Sequence, residues 1–125
     1  MHGVQRPLSP YWIYRWQITM WLSSLHRITG LLLSAGAIAL GIWLIALASG
    51  PDAYASVLEI VGSAPFKALL IGWTFAFFFH LANGIRHLAW DLGLGYGKAH
   101  IKTSGWAVVI VTVLATAAFS FAAIV

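Results

Sequence analysis

Two short stretches carry most of the side chains able to do chemistry in this 125-residue chain. The longer is His80-Leu-Ala-Asn-Gly-Ile-Arg-His87-Leu-Ala-Trp-Asp91, where two histidines, an arginine and an aspartate lie on or beside an oily run. Steps of four, three and four residues track a 3.6-residue turn, so positions 80, 84, 87 and 91 share one helix face. Ionisable groups at membrane depth cost roughly 2.5–3.5 kcal/mol each on insertion scales, and they generally bind or carry something. An imidazole there suits iron, and a lipid-shielded slot suits a porphyrin. The plainer alternative is a neutral His80 hydrogen-bonded to a neighbouring helix. Gly84, one turn along, leaves room for a flat ring, and Phe77, Phe78 and Phe79 add apolar bulk. Arg86 suits a haem propionate or, with equal weight, snorkelling to headgroups. Asp91 could hold a ring nitrogen of His87 or stand as an interfacial aspartate.

His80 and His87 cannot both bind one iron. They stand ~10.5 Å apart along a helix axis, whereas two nitrogens on one iron are only ~4 Å apart. A second ligand therefore comes from elsewhere, with His26 the other membrane-depth histidine of the chain and a partner chain the further source. His2 and His100 fall outside the membrane. The second stretch is Ser23-Ser24-Leu25-His26-Arg27. Ser23 and Arg27 are one turn apart on a shared face, with His26 alongside. A hydroxyl and a cation at the headgroup boundary could bond a quinone carbonyl, and His26 could shuttle a proton or contact a propionate. A solvated helix start would use the same residues.

The elements that must position these groups are membrane spans. Of all residues 61% are hydrophobic and 8% charged, with a mean hydropathy of +0.87, more apolar surface than a soluble domain of this size could hide. Charge-free windows at 28–51, 68–85 and 103–125 match the ~20 residues a helix needs to cross a bilayer. The fold expected is all-α with three transmembrane helices at about 19–48, 66–91 and 104–124, after a lead-in at 1–18. Tyr11, Trp12, Tyr14 and Trp16 of that lead-in form an aromatic anchor at headgroup level. Residues Ala53 to Ile60 could form a short interfacial helix. Gly93, Gly95 and Gly97 imitate a nucleotide-binding loop but lack the flanking strand and βαβ unit, and read as a plain connection. Gly30, Ser34, Ala37 and Gly41 read as small residues for close helix packing.

Arg6, Arg15, Arg27, Arg86, Lys98 and Lys102 fall on one side, while the other connection holds Asp52 and Glu59 with Lys67 at its edge. That distribution predicts a cytoplasmic or matrix N-terminus and a C-terminus on the opposite side. The net charge of +4 is spread over membrane flanks and implies no nucleic acid. No secretory or transit segment is visible. The absence of cysteine removes disulfides, thiolate zinc, iron–sulfur clusters and covalently attached haem.

Three blocks, Arg6-Pro-Leu-Ser-Pro…Ile13-Tyr-Arg15, Ser23-x-Leu-His26-Arg27-x-Thr-Gly30 and His80-x-x-x-Gly84-Ile-Arg86-His87-x-x-x-Asp91, together closely resemble the cytochrome b subunits of succinate dehydrogenase. These are the larger of two membrane anchors of respiratory complex II, and the resemblance covers nearly the whole chain. It implies a bacterial inner-membrane or mitochondrial inner-membrane heterotetramer linking the tricarboxylic acid cycle to respiration. A flavoprotein with FAD oxidises succinate, an iron–sulfur subunit relays electrons, and the two anchors share one haem b and reduce ubiquinone. The resemblance makes His80 an axial haem ligand, with the other axial histidine supplied by the small anchor. It places His26, Arg27, Gly84 and His87 near the haem or its propionates, and makes Ser23 and Arg27 the quinone-site pair. Where relatives often carry His-Leu after the Ser-Pro, this chain has Tyr11-Trp12. Two other classes use the same residues: a proton or metal-ion transporter with a His80, His87 and Asp91 relay, and a haem-free structural anchor. The transporter has against it a third helix without polar lining.

Overall fold

An unbroken run of aliphatic and small residues from Ile18 to Ala48 forms α1, and the turn at Ser49–Gly50 ends it. In this computed structural model residues 17–124 are described, so the aromatic anchor, Tyr11-Trp12, Arg6, Arg15 and His2 lie outside the described residues. Pro51 opens α2 (Pro51–Val61), a short helix with no buried residue, whose Tyr54 meets Trp43 edge-on at 6.2 Å. Proline suits a first helical turn, where its missing N–H has no partner to lose. The same device, Pro65, opens α3 (Ala64–Asp91). A turn with Gly93 at φ 78° and Gly95 at φ 80° leads into α4 (Lys98–Ala123). Those left-handed values suit residues without a Cβ, which gives the three-glycine run a turn role.

Helices α1, α3 and α4 are each long and apolar enough to cross a membrane. At 1.5 Å per residue the 31 residues of α1 exceed the ~30 Å hydrocarbon core, so this helix projects or tilts. The charge-free window at 103–125 marks the oily part of α4, but the helix starts earlier, at Lys98. Its first turn carries Lys98, His100 and Lys102 in exposed positions, because a helix can continue into water where an oily window cannot.

Neighbouring spans run antiparallel. Gly30 lies against His80, Gly84 against His26, and Gly36 against Trp73, whose indole Nε1 donates to the Leu32 carbonyl at 3.1 Å. On the other side of α3, Arg86 reaches Ser104 and Phe78 meets Phe119 edge-on at 6.1 Å. The starts of α1 and α4 therefore lie at the same end as the finish of α3, where Ile18 and Leu22 close over Gly105.

The interior inverts the pattern of a soluble bundle. Its buried apolar side chains are Leu22, Ala76, Phe79 and Val108, while Thr29, Asn83, Arg86, Thr112, Thr116 and Ser120 are also buried. Leu31 and Phe121, by contrast, are 74% and 82% exposed. Lipid tails are as apolar as leucine, so membrane helices associate through small and polar residues. This corrects one expectation: α4 does present a polar lining, made of Thr112, Thr116 and Ser120. Hydroxyls can turn back onto their own helix, as Thr112 does to the Val108 carbonyl at 2.7 Å, which hides them from a reading based on charge.

Candidate functional site

The face of α3 carrying His80, Gly84 and His87 turns to α1, and His26 receives it. The His26 and His80 rings stack with centroids 3.9 Å apart and planes 10° from parallel. His87 lies at 5.2 Å from His26, tilted by 49°. Three imidazoles, two of them seven residues apart on one helix, thus meet through a single residue of another. Among the described residues no group of three or more His, Asp or Glu is arranged to hold a metal ion; the rings stack instead of converging on a point.

His80 is held in one tautomer by its surroundings. Its Nδ1 lies 3.2 Å from the His26 carbonyl and 3.3 Å from Thr29 Oγ1. The Thr29 hydroxyl already spends its proton on the Leu25 and His26 carbonyls, at 2.9 and 3.0 Å. Nδ1 therefore faces two acceptors and must be the N–H donor. The lone pair of the ring sits on Nε2. Metal-ligating histidines have this arrangement, with the second nitrogen donating to a carbonyl that fixes the ring.

Gly30 makes the approach possible. A Cβ at that position would come within 3.1 Å of His80 Cε1. Neither Thr29 nor Gly30 had been given a role toward His80, although both stand in the block that follows His26. Their signal was spacing: one helical turn beyond His26 is the level at which an antiparallel α3 brings His80. Gly84 is less confined, since a Cβ there would meet His26 Cε1 at 3.9 Å, an ordinary contact.

His26 Nδ1 is buried with no hydrogen-bond partner, as is Asn83 Nδ2. Buried polar atoms are seldom left unpaired, and these two lie one helix position from the cluster and within it. His87 meets the Trp90 ring edge-on at 5.2 Å. No hydrogen bond ties it to Asp91, which ends α3 in an exposed position, so of the two readings of Asp91 the interfacial aspartate is the one this geometry matches.

Arg86 departs furthest from expectation. It neither snorkels nor points to the histidines: it is 7% exposed and turned to α4. Nε donates to Ser104 Oγ at 3.0 Å, Nη2 to the Ile101 carbonyl at 3.1 Å and Nη1 to Asn83 Oδ1 at 3.4 Å. The guanidinium also lies 4.0 Å over the Trp90 ring. A residue adjacent to His87 is rotated 100° from it about the helix, enough to face another helix. The same rotation separates the three phenylalanines. Phe79 is in the core, Phe78 meets α4, and Phe77 is 51% exposed, so they do not jointly line a slot.

Ser23 is half-buried and Arg27 exposed, one turn apart on α1. Neither joins the histidine cluster by a hydrogen bond.

Residues 3–119 match the family model described as succinate dehydrogenase/fumarate reductase transmembrane subunit. The chain is 40% identical over 113 residues to the succinate dehydrogenase cytochrome b556 subunit of Rickettsia felis, which covers 90% of this chain and 88% of that protein. Identity to the subunit of the same name from Rickettsia bellii is 42%, with the same coverage. The mitochondrial succinate dehydrogenase cytochrome b560 subunit of Sus scrofa is 42% identical over 120 residues, 91% of this chain and 69% of that protein. A three-span architecture with His26, His80 and His87 gathered between α1 and α3, and a match along nearly its whole length, give one conclusion: the chain belongs to the succinate dehydrogenase/fumarate reductase transmembrane subunit family, as a non-catalytic membrane-anchor subunit of that enzyme complex.

Proposed function

We propose that this inner-membrane subunit binds one haem b through His80 Nε2 and forms part of a ubiquinone site around Ser23 and Arg27. The observation that carries the haem reading is the tautomer of His80, fixed with its proton on Nδ1 by two acceptors. That leaves the Nε2 lone pair oriented and uncommitted by these bonds. Bound there, a haem supplies one-electron transfer. The unpartnered Nδ1 of His26 offers a hydrogen bond at the same level, which suits a propionate, and His87 and Arg27 extend that polar margin. Gly84 stays as the small residue between His80 and His87.

The second axial ligand belongs to a partner. His26 would not supply it, because its ring lies flat against that of His80 at 3.9 Å. The small anchor subunit is the natural donor. Electrons reach the site from flavin and iron–sulfur subunits, since this chain has no cysteine to hold a cluster. At the end of the bundle where the starts of α1 and α4 meet, Ser23 would donate a hydrogen bond to a quinone oxygen and Arg27 would stabilise the negative charge that develops on it during reduction. That end, holding Arg27, Arg86, Lys98 and Lys102, faces the cytoplasm or matrix.

The test is a redox difference spectrum of the complex purified by a tag on this chain. Succinate should bring up a b-type band, and Arg27→Ala should raise the KM for quinone about tenfold or more while succinate-to-dye activity stays unchanged. An intact complex with no band would leave a haem-free structural anchor as the better reading.

A further inference from the structure

On the side of α3 away from the histidines, α3 and α4 enclose a groove of about 550 Å³. Its lining is graded. Gly95 and His100 border it at the loop end, Arg86 and Ser104 come next, and Ala82 and Ala107 line its deeper part. The basic and hydroxylic groups thus lie toward the loop end, among Trp90 and Leu94, and the deeper end, with Ile85 beside the two alanines, is wholly apolar. That gradient runs along the helices, across what the composition makes the membrane boundary.

Arg86 is the decisive residue. It is a 93% buried cation, taking the complement of its 7% exposure. Its three acceptors, Ser104 Oγ, the Ile101 carbonyl and Asn83 Oδ1, are all uncharged. A guanidinium has five N–H groups, so two remain after these bonds. The chain has only three acidic residues, and among the described residues none makes an ion pair with Arg86. Asp52 and Glu59 are on α2 at the far end, and Asp91 is exposed. The first turn of α4 adds Lys98 and Lys102 and no acid. A buried cation is ordinarily matched by an anion or by a dense set of acceptors. Here the geometry leaves a place for the anion.

We infer that this groove is a binding site for an anionic phospholipid. Its phosphate sits at Arg86 and His100, and one acyl chain runs along Ala82 and Ala107. Basic recesses between membrane helices hold acidic headgroups in this way, and the graded lining matches an amphipathic ligand in the right sense. A zwitterionic lipid fills the same volume but leaves the charge of Arg86 unmatched. The inference is independent of the haem reading, because the groove lies on the opposite face of α3.

The experiment uses the whole tagged complex in nanodiscs of phosphatidylcholine in which roughly a tenth of the lipid is phosphatidylglycerol, an anionic fraction for the basic recess to select. Lipids retained after detergent exchange are counted by native mass spectrometry. Phosphatidylglycerol should be enriched over its bulk fraction by about fivefold, the preference one such residue supports. Ala107→Phe fills the groove without touching the bonds of Arg86, and should return the ratio to that of bulk with an unchanged melting temperature. Arg86→Gln should do the same in whatever protein folds. Equal retention of the two lipids by wild type overturns the proposal. So does an enrichment that survives Ala107→Phe, or one abolished by millimolar inorganic phosphate, which would make the site a free-anion site. A photo-crosslinker at residue 107 that captures a subunit of the complex in place of lipid overturns it too.

Discussion

The two faces of α3 meet their neighbours in opposite ways. Toward α1, His80 stacks on His26, His87 meets the same ring at a tilt, and a buried ring nitrogen of His26 is left unpaired. Toward α4, Arg86 spends three donors on two other residues' side chains and one carbonyl, and covers Trp90 besides. Neighbours in sequence, Arg86 and His87, thus belong to different machinery. Polar groups in a membrane bundle can tie helices together, stay available for a ligand or, as Arg86 does with three donors spent and two left, do both. The number of satisfied bonds tells which, whereas residue type does not.

The largest expected effect breaks the α1 side. His80→Ala should lower haem per complex to under about a tenth of wild type, since removing a ligand exceeds the ~10–100-fold cost of disturbing its supporting partner. The absorbance of the purified complex measures it. If haem content stayed intact, His80 would be a packing residue and the contrast between the faces would collapse.

Arg86→Met tests the α4 side. It deletes bonds to Ser104, Asn83 and Ile101 and should destabilise the protein by about 1–3 kcal/mol, read as a lower melting temperature in detergent. Arg86→Lys should not restore it, because an ammonium lacks the planar fork that spans these acceptors. The protein that survives should keep its haem band position. A shifted band would mean that the two faces are coupled through Trp90, which touches both Arg86 and His87.

A smaller effect is expected from Thr29→Val. The isosteric change removes one of the two acceptors of His80 Nδ1 and keeps the other, the His26 carbonyl. Haem affinity should fall by about tenfold, the lower end for a supporting partner, seen as faster transfer of haem to an excess of apomyoglobin. Unchanged transfer would show that the carbonyl alone fixes the ring.

The three spans were legible because oily windows and turn residues report directly on what water excludes. The face shared by His80, Gly84 and His87 followed from helical spacing alone, and so did the incompatibility of His80 and His87 with a single iron. What spacing could not give was azimuth relative to a neighbour. Arg86 was read with the histidines because it sits beside them, yet 100° of rotation carries it to α4. Thr112, Thr116 and Ser120 were overlooked because neutral hydroxyls leave no mark on a charge map. Thr29 and Gly30 were visible as parts of a block, but their partner is 50 or more residues away, and only the antiparallel register of α1 and α3 brings His80 to them.

The smallest effect sharpens the comparison most finely. Gly30 and Gly84 both lie on the α1–α3 interface, and the sequence reading singled out Gly84 as the space for a flat ring. The distances rank them the other way: an added Cβ would come within 3.1 Å of His80 at position 30, but only 3.9 Å from His26 at position 84. Gly84→Ala should therefore leave haem content and band position unchanged. Stability should move by no more than about 1 kcal/mol, in the favourable direction that alanine has over glycine within a helix. Gly30→Ala in parallel has to displace the His80 ring by a few tenths of an ångström, and should shift or broaden the haem band. If the ranking were reversed, with Gly84→Ala losing haem and Gly30→Ala tolerated, the porphyrin would lie against α3 at Gly84, and the stacked His26–His80 pair would have to separate to admit it.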